Sequence, residues 1–164
     1  MTGFSFPQPP ADDQPPAPLP AYADIQLDDF WPAVNMTAIR VAVRLGDAVT
    51  SDRLRDATEN ALVTIARQLG AWRLARQAEG CLALSDVRAR EKIGGKSDYE
   101  ILWFRAVYSE VGADLAERQL VAAATAAGLQ RVEEVKSDAD MHRRNASYAV
   151  RDFLAIGRVD AELL

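Results

Sequence analysis

Proline is confined to one end of this 164-residue chain. All eight prolines lie within the first 32 positions, and none follows Pro32. Proline lacks the N–H that a helix interior needs, and its ring clashes with the preceding turn. Residues 1–27 are therefore predicted to form an extended, polyproline-II-like arm. Residues 28–158 form the predicted helical domain, and residues 159–164 form a short C-terminal tail that either pairs as a strand or simply trails.

The proline-free region is rich in strong helix formers, and its glycines and capping residues divide it into segments. We predict an all-α fold, a helical bundle of about four helices of which two are long, preceded by the Pro-rich arm. Asn35 is the expected N-cap of the first helix, and Thr50 or Ser51 that of the second. Ser137 and Asp140 give a weaker capping pattern for the fourth. The four helices are predicted at about residues 36–45, 51–79, 98–127 and 137–156.

The second and third helices carry the clearest periodic patterns. In the second, apolar or small residues recur every three or four positions from Leu54 to Trp72, with a kink or close packing expected at Gly70. Ser97 and Glu100 form an S-x-x-E capping box that begins the third helix. The apolar residues of the third helix cover more than one stripe. It is therefore either a buried central helix or a helix that also contacts another subunit.

The connecting segments are assigned by composition. Residues 81–87 (CLALSDV) are predicted to form a surface turn with a few anchoring apolar residues. Residues 88–96 (RAREKIGGK) are charged and punctuated by glycine, which is typical of a flexible loop. Residues 129–136 are predicted to link the third and fourth helices.

Composition and charge exclude several classes of protein. Apolar residues make up 49% of the chain, which is normal for a globular domain, and the net charge is −5. Acidic chains do not usually bind nucleic acid tightly, although an acidic wall lets DNA slide past. We find no membrane-spanning or secretory pattern and expect synthesis in a reducing cytoplasm. The single cysteine, Cys81, is expected to fill a small buried apolar position.

No catalytic, metal or cofactor site is predicted. His142 is the only histidine and is expected to face solvent beside two arginines, so paired-histidine and Ser–His or Cys–His sites are not available. The GGK sequence at 94–96 lacks the first glycine of a phosphate-binding loop, because Arg90 stands in its place. Acidic pairs such as Glu133–Glu134 are best explained as a solvated surface.

Three features favour interaction with a partner protein. The arm is suited to docking in a groove, or is a purely disordered tail. Two aromatic residues at the junction of arm and body either anchor that junction in the core or insert into a neighbour. The third helix has more aromatic residues than one stripe needs. The candidate partner-binding residues are Phe4, Phe6, Pro9, Pro10, Phe30, Trp31, Trp103, Phe104 and Tyr108.

The order of these features resembles that of the head completion proteins (the GPL family) of P2-like contractile-tailed phages. The pieces that carry the resemblance are FWPAVNMTAIRVAVRLGDAV, TSDRLRDATENALVTIARQLGAWR, GCLALSDV, GGKSDYEILWFRAVYSEVGADLAER and YAVRDFLAIGR. They span about residues 28–158. The chain departs from the expected pattern near its C-terminus, where Gly157-Arg158-Val159-Asp160 replaces a glycine–proline type of turn.

The resemblance implies a structural, non-enzymatic protein of the virion neck, made in the bacterial host cytoplasm. It implies binding beneath the portal protein after DNA packaging, and a surface for a tail-side neck or terminator protein. It further implies a homo-oligomeric ring, expected to be a dodecamer, through which DNA passes without specific binding. No catalytic residue, cofactor or membrane contact follows from the family.

Two other classes of function stay open from the residues alone. The first is a small cytoplasmic helical adaptor or regulator that binds partners through its Pro-rich arm. The second is an enzyme with an external cofactor and a site built from Arg, Asp, Glu and Tyr, for which no constellation stands out.

Overall fold

The computed structural model describes residues 24–46, 48–123 and 129–157. This part of the chain is mostly helical, as predicted, and contains five α-helices where about four were expected. The helices are α1 (Met36–Ala42), α2 (Ser51–Gln68), α3 (Gly70–Ala78), α4 (Asp98–Ala123) and α5 (Leu129–Phe153). The predicted arm and C-terminal tail lie outside the described residues, except for positions 24–27.

Short non-helical elements connect the helices. A single 3-10 turn covers Leu84–Asp86, and the strands β1 (Lys92–Ile93) and β2 (Lys96–Ser97) form a two-stranded antiparallel hairpin. Near the start of the described chain, Ile25 and Val34 exchange backbone hydrogen bonds of 2.9 and 2.8 Å across one isolated bridge. This bridge closes a loop that carries Phe30 and Trp31 into the core.

The predicted helix caps are confirmed at three helices. The Asn35 side chain accepts a hydrogen bond from the backbone N–H of Ala38 at 2.9 Å, and Thr50 caps α2 through its hydroxyl. At the start of α4, the backbone N–H of Ser97 donates to the Glu100 carboxylate at 2.9 Å, and the backbone N–H of Glu100 donates to Ser97 Oγ at 3.1 Å. Each cap satisfies N–H groups that a helix start leaves without partners.

The predicted second helix is two helices. α2 ends at Gln68, Leu69 leaves the helical range with ψ of 2°, and α3 begins at Gly70. Backbone pairing is kept across the break, because the Arg73 N–H donates to the Leu69 carbonyl at 2.9 Å. The kink or close packing expected at Gly70 is therefore a break between two helices, and Trp72 of α3 keeps the three-residue spacing from Leu69 and packs against the core.

The predicted linker at residues 129–136 is wrong. These residues form the first two turns of α5, and Ser137 is an exposed residue inside that helix instead of its cap. The physical reason lies in the composition of LQRVEEVK, which has no glycine or proline and consists largely of good helix formers. α5 also ends at Phe153, before the predicted end, and Ala155 adopts a left-handed φ of 56°.

The loop predicted at residues 88–96 is an ordered hairpin. Lys92 pairs with Ser97 and Ile93 with Lys96, and Gly94 and Gly95 form the turn between them with φ of 58° and 82°. Two consecutive residues with positive φ suit a tight two-residue hairpin turn, and glycine reaches that region without steric cost.

The helix α4 lies at the centre of the fold. It packs along α5 over much of its length and against α2 on another side. This arrangement explains why its apolar residues cover more than one stripe, as a buried central helix requires. The largest fully buried side chains include Trp31, Trp103, Phe30, Phe153, Met36, Ile39, Leu54, Leu62, Ile65 and Leu69. Within the described ranges, every helix is too short or too polar to cross a bilayer.

A close contact between α4 and α5 depends on a glycine. Gly112 is buried in α4, and a Cβ built there would lie 2.8 Å from Nδ1 of His142. His142 is therefore half-buried, with its ring lying over the backbone of α4, and the expectation that it faces solvent is wrong. The absence of a side chain at position 112 allows the two helices to approach each other at this point.

Replacing Gly112 with alanine should destabilise the fold, although alanine normally favours a helix by about 1 kcal/mol. The added methyl group would push into the His142 ring, and overpacking of this kind costs about 1–3 kcal/mol. Urea denaturation of Gly112→Ala and of the double variant Gly112→Ala/His142→Ala measures the effect.

The loss should be largely removed when His142 is also alanine. Gly70→Ala is the matched control, since a Cβ there meets nothing within 4 Å. A Gly112→Ala protein more stable than the wild type would contradict the proposed contact.

Candidate functional site

An aromatic cluster holds the start of the described chain against three helices. The ring of Trp31 stacks on that of Trp103 in α4, with centroids 4.2 Å apart and planes 7° from parallel. Phe30 contacts Trp31 edge-on at 4.9 Å. On the same side of the molecule, Trp72 of α3 and Phe153 of α5 meet edge-on at 4.7 Å. The cluster therefore joins the loop that follows the arm to α3, α4 and α5.

Three of the predicted partner-binding residues belong to this cluster. Phe30, Trp31 and Trp103 are 2%, 1% and 0% exposed, so their side chains are fully used by the core of this chain. Of the two alternatives given above, anchoring in the core fits this burial. Phe30, Trp31 and Trp103 are therefore no longer candidates for contact with a partner. Burial of this much aromatic surface contributes strongly to stability.

Two other predicted residues lie at the edge of the core. Phe104 and Tyr108 are half-buried neighbours on α4, with ring centroids 5.8 Å apart. Burial raises the pKa of Tyr108, and the negative charge of Asp24 raises it further. Part of each ring is accessible, so both stay candidates for contact. Phe4, Phe6, Pro9 and Pro10 lie outside the described residues.

The helix α3 places its arginines toward the protein. Arg73 Nη1 lies 2.5 Å from Asp28 Oδ2, and the guanidinium sits 5.1 Å from the centroid of the Phe30 ring. Arg76 lies over the Trp72 ring at 5.8 Å and pairs with Glu79 at 2.7 Å. The planar guanidinium groups are suited to this position, because they stack on aromatic faces and pair with carboxylates at the same time.

As a consequence, the aliphatic residues of α3 face solvent, whereas its aromatic residue, Trp72, packs against the core. Leu74 is 68% exposed, and Ala71, Ala75 and Ala78 are exposed beside it. The spacings of three and four place these four side chains on one face of the helix. We call this set the outer face of α3. It is an unusual surface, because a helix in a small domain normally turns its apolar stripe inward.

The residues that follow α3 extend the exposed apolar character. Leu82 is 81% exposed, whereas Leu84 and Val87 in the same segment are buried. The predicted surface turn with apolar anchors is thereby confirmed. Cys81 is partly buried and packs against the core. Leu82 is therefore not needed for the chain's own packing.

Sequence reasoning missed the outer face of α3. The spacing of Leu74 with three alanines is visible in the sequence, but the apolar stripe predicted for the second helix ends at Trp72 and does not include these residues. Trp72 keeps the three-residue spacing from Leu69 and packs against the core, so the opposite side of α3, which carries Leu74, faces solvent. The pair Arg73 and Arg76 is the sequence signal for the outer face. Both arginines lie on the side of the helix that carries Trp72, which leaves Leu74 and the alanines on the opposite side.

A cleft between α2, α4 and α5 gathers charged side chains. Glu110, Asp114 and Glu117 lie on one face of α4, and Arg143 of α5 forms an ion pair with Glu117. Burial raises the pKa of Glu110, although the charge of Arg143 opposes this. Among the described residues, no group of three His, Cys, Asp or Glu side chains is placed to hold a metal ion.

Comparison with known proteins identifies one family. The profile described as "Phage head completion protein (GPL)" matches residues 25–164. The "Head completion/stabilization protein" of Escherichia phage P2 is 30% identical over 121 residues, which cover 74% of this chain and 71% of that protein. No solved structure matches significantly.

Replacing Glu110 with glutamine should stabilise the fold at neutral pH. The pKa of Glu110 is higher in the folded protein than in the unfolded chain. Its protonated form therefore favours the folded state, and this contribution to the free energy of unfolding is lost as the pH rises through the pKa of the folded state. Glutamine keeps the shape without the buried charge. Denaturant midpoints between about pH 4 and pH 8 test this dependence.

The advantage of Glu110→Gln should shrink toward the acid end of that range, where the wild-type carboxyl is protonated. Glu91→Gln removes an exposed carboxylate of the hairpin and is the matched control for the loss of one negative charge. A Glu110→Gln protein less stable than the wild type at neutral pH would mean that pairing with Arg143 outweighs burial.

Proposed function

The chain belongs to the phage head completion (GPL) family, and from that premise we propose that it is the connector between the capsid portal and the tail. Its role in head completion places it in the virion, in contact with components of the phage head. The proposal adds that it binds beneath the portal protein after DNA packaging. There it stabilises the filled head and offers a surface to a tail-side neck or terminator protein.

We further propose that the chain works as a structural, non-enzymatic subunit of a ring, with twelve copies matching the portal. Closed rings are built from heterologous contacts, in which one surface of a copy meets a different surface of the next. DNA passes through the lumen of this ring without sequence-specific binding. The acidic net charge of −5 favours such loose passage.

The observation that carries the proposal is the outer face of α3. Leu74 and its three alanine neighbours are exposed, whereas the charged residues Arg73 and Arg76 of the same helix lie on the side that faces the protein. Exposed apolar surface of this kind commonly marks a contact with another protein. The small alanine side chains allow a partner helix or loop to approach the backbone closely. The proposed occupant is a second copy of the chain.

The size of this surface supports assembly on a template instead of a stable free dimer. A specific, stable interface buries about 800 Å² on each partner, and one nine-residue helix with a single exposed leucine supplies much less. Pairs of copies would therefore associate weakly in solution. Attachment to the portal would bring copies together and so complete the ring.

Deleting residues 1–23 should leave the helical body folded but weaken its attachment to the portal. The deletion keeps Asp24, whose carboxylate accepts a hydrogen bond from the Asn35 side chain at 2.6 Å. Circular dichroism checks the fold, and co-sedimentation with portal rings or DNA-filled heads of the same phage checks attachment. Unchanged attachment of the truncated chain would contradict a role for the arm. It would also remove the arm-based adaptor as an alternative.

Replacing Leu74 with glutamate should prevent ring formation on the portal without unfolding the chain. The side chain is 68% exposed, so the cost to stability should stay within about 0.5 kcal/mol. A buried carboxylate between copies is unfavourable unless it is paired. Native mass spectrometry of the complex with portal counts the bound copies.

Val41→Glu is the matched control, because Val41 is a 74% exposed apolar residue on a different helix. It should leave the number of bound copies unchanged. Full ring assembly by the Leu74→Glu protein would exclude the outer face of α3 as the contact between copies.

A further inference from the structure

The hairpin between the 3-10 turn and α4 is a basic segment of an acidic protein. Residues 88–97, which we call the basic hairpin, contain four of the chain's 19 Lys and Arg residues and one acidic residue, Glu91. Its net charge is +3, whereas the whole chain carries −5. Positive charge is therefore concentrated in one projecting element.

One of the four cations fixes the base of the hairpin. Arg90 Nε lies 2.6 Å from Asp98 Oδ2, and the Arg90 guanidinium also donates to the Asp152 carbonyl at 3.2 Å and covers the Tyr99 ring. Burial alone would raise the pKa of Asp98, but hydrogen bonds and the charge of Arg90 lower it overall. The ionised pair ties the hairpin to the start of α4 and the end of α5.

The other three cations are free for an external partner. Arg88, Lys92 and Lys96 are exposed, and none of them forms an ion pair with any residue in the described part of the chain. The ammonium group of Lys96 lies 5.9 Å from the centroid of the Phe104 ring, which orients it without neutralising it. The hairpin thus combines a fixed base with three exposed cations, Arg88, Lys92 and Lys96, and a single exposed carboxylate, Glu91.

The shape of the hairpin favours a nucleic acid over a protein as the partner. The element is a two-stranded hairpin whose exposed cations can contact the phosphate oxygens of a nucleic-acid backbone. At its tip, Gly94 and Gly95 have no side chains, so the backbone can approach a phosphate closely. Ile93 is the one large apolar side chain of the hairpin, which is too little for the apolar centre of a protein interface.

We propose that the basic hairpin contacts the phosphate backbone of duplex DNA in a sequence-independent manner. The contact deepens the proposed function, on which it rests, by giving the DNA beside the connector a specific contact point on each copy. Three cations neutralise few phosphates, so the interaction of one copy is weak and sensitive to salt. Repetition around a ring would multiply it and still let DNA slide.

The experiment compares two double variants with the same change in charge. Lys92→Gln/Lys96→Gln removes two cations from the hairpin, and Arg53→Gln/Arg67→Gln removes two exposed cations from α2. Fluorescence anisotropy with a labelled mixed-sequence DNA duplex measures the affinity of the full chain over a series of salt concentrations. The assay contains no portal, so its outcome is separate from the test of the proposed function.

The wild type should bind at low salt, and the hairpin variant should bind more weakly. Each phosphate contact contributes about 0.9 to the slope of log affinity against log salt, so this slope should become shallower by about 2 in the hairpin variant. The α2 variant should match the wild type. Absence of wild-type binding at the lowest salt, or equal losses in both variants, would overturn the proposal.

A partner of the other class has its own signature. If the hairpin variant keeps the wild-type affinity for DNA but fails to attach to the portal, the hairpin binds an acidic protein surface, and the DNA contact is excluded. A further outcome is that the wild type binds DNA as expected while neither it nor any variant attaches to the portal. In that case the proposed connector role fails and the DNA contact stands.

Discussion

The stacking of Trp31 on Trp103 is the contact on which the rest of the structure depends. It joins the segment that follows the proline-rich region to the middle of the central helix, with ring centroids 4.2 Å apart. Phe30, beside it, receives Arg73 of α3, and its carbonyl accepts a hydrogen bond from the Leu84 N–H at 2.9 Å. Through these links one short loop orients α3, the 3-10 turn and α4 together. Aromatic contacts contribute about 0.5–1.5 kcal/mol each beyond their buried area, so the cluster is a strong local constraint.

That constraint explains how α3 comes to have its unusual orientation. Arg73 and Arg76 point inward because the aromatic rings and Asp28 give them partners there. Leu74 is then directed outward by helix geometry alone. A buried apolar stripe would have stabilised the isolated chain more, and we propose that the exposed leucine contacts another protein. The same loop that completes the core therefore also creates the surface that we assign to subunit contacts.

Short-range sequence patterns predict the helical fold and its caps. The features that they do not predict depend on packing between residues that are distant in the sequence. The caps at Asn35, Thr50 and Ser97 are short-range hydrogen-bonding patterns, and all three are confirmed. The break at Leu69 and the orientation of α3 depend on rings that lie far away in the sequence. The start of α5 differs from the prediction because strong helix formers extend this helix ahead of the weak caps Ser137 and Asp140. Burial of Trp103 and exposure of Leu74 both follow from tertiary contacts, which single-sequence periodicity does not resolve.

We propose that this chain connects the portal to the tail, with copies joined side by side through α3. Cryo-electron microscopy of the neck of the intact phage particle tests that claim most directly. We expect density for this chain as a closed ring beneath the portal, with Leu74 buried between adjacent copies. Density for the chain elsewhere in the particle, or a ring in which the outer face of α3 stays exposed to solvent, would contradict it.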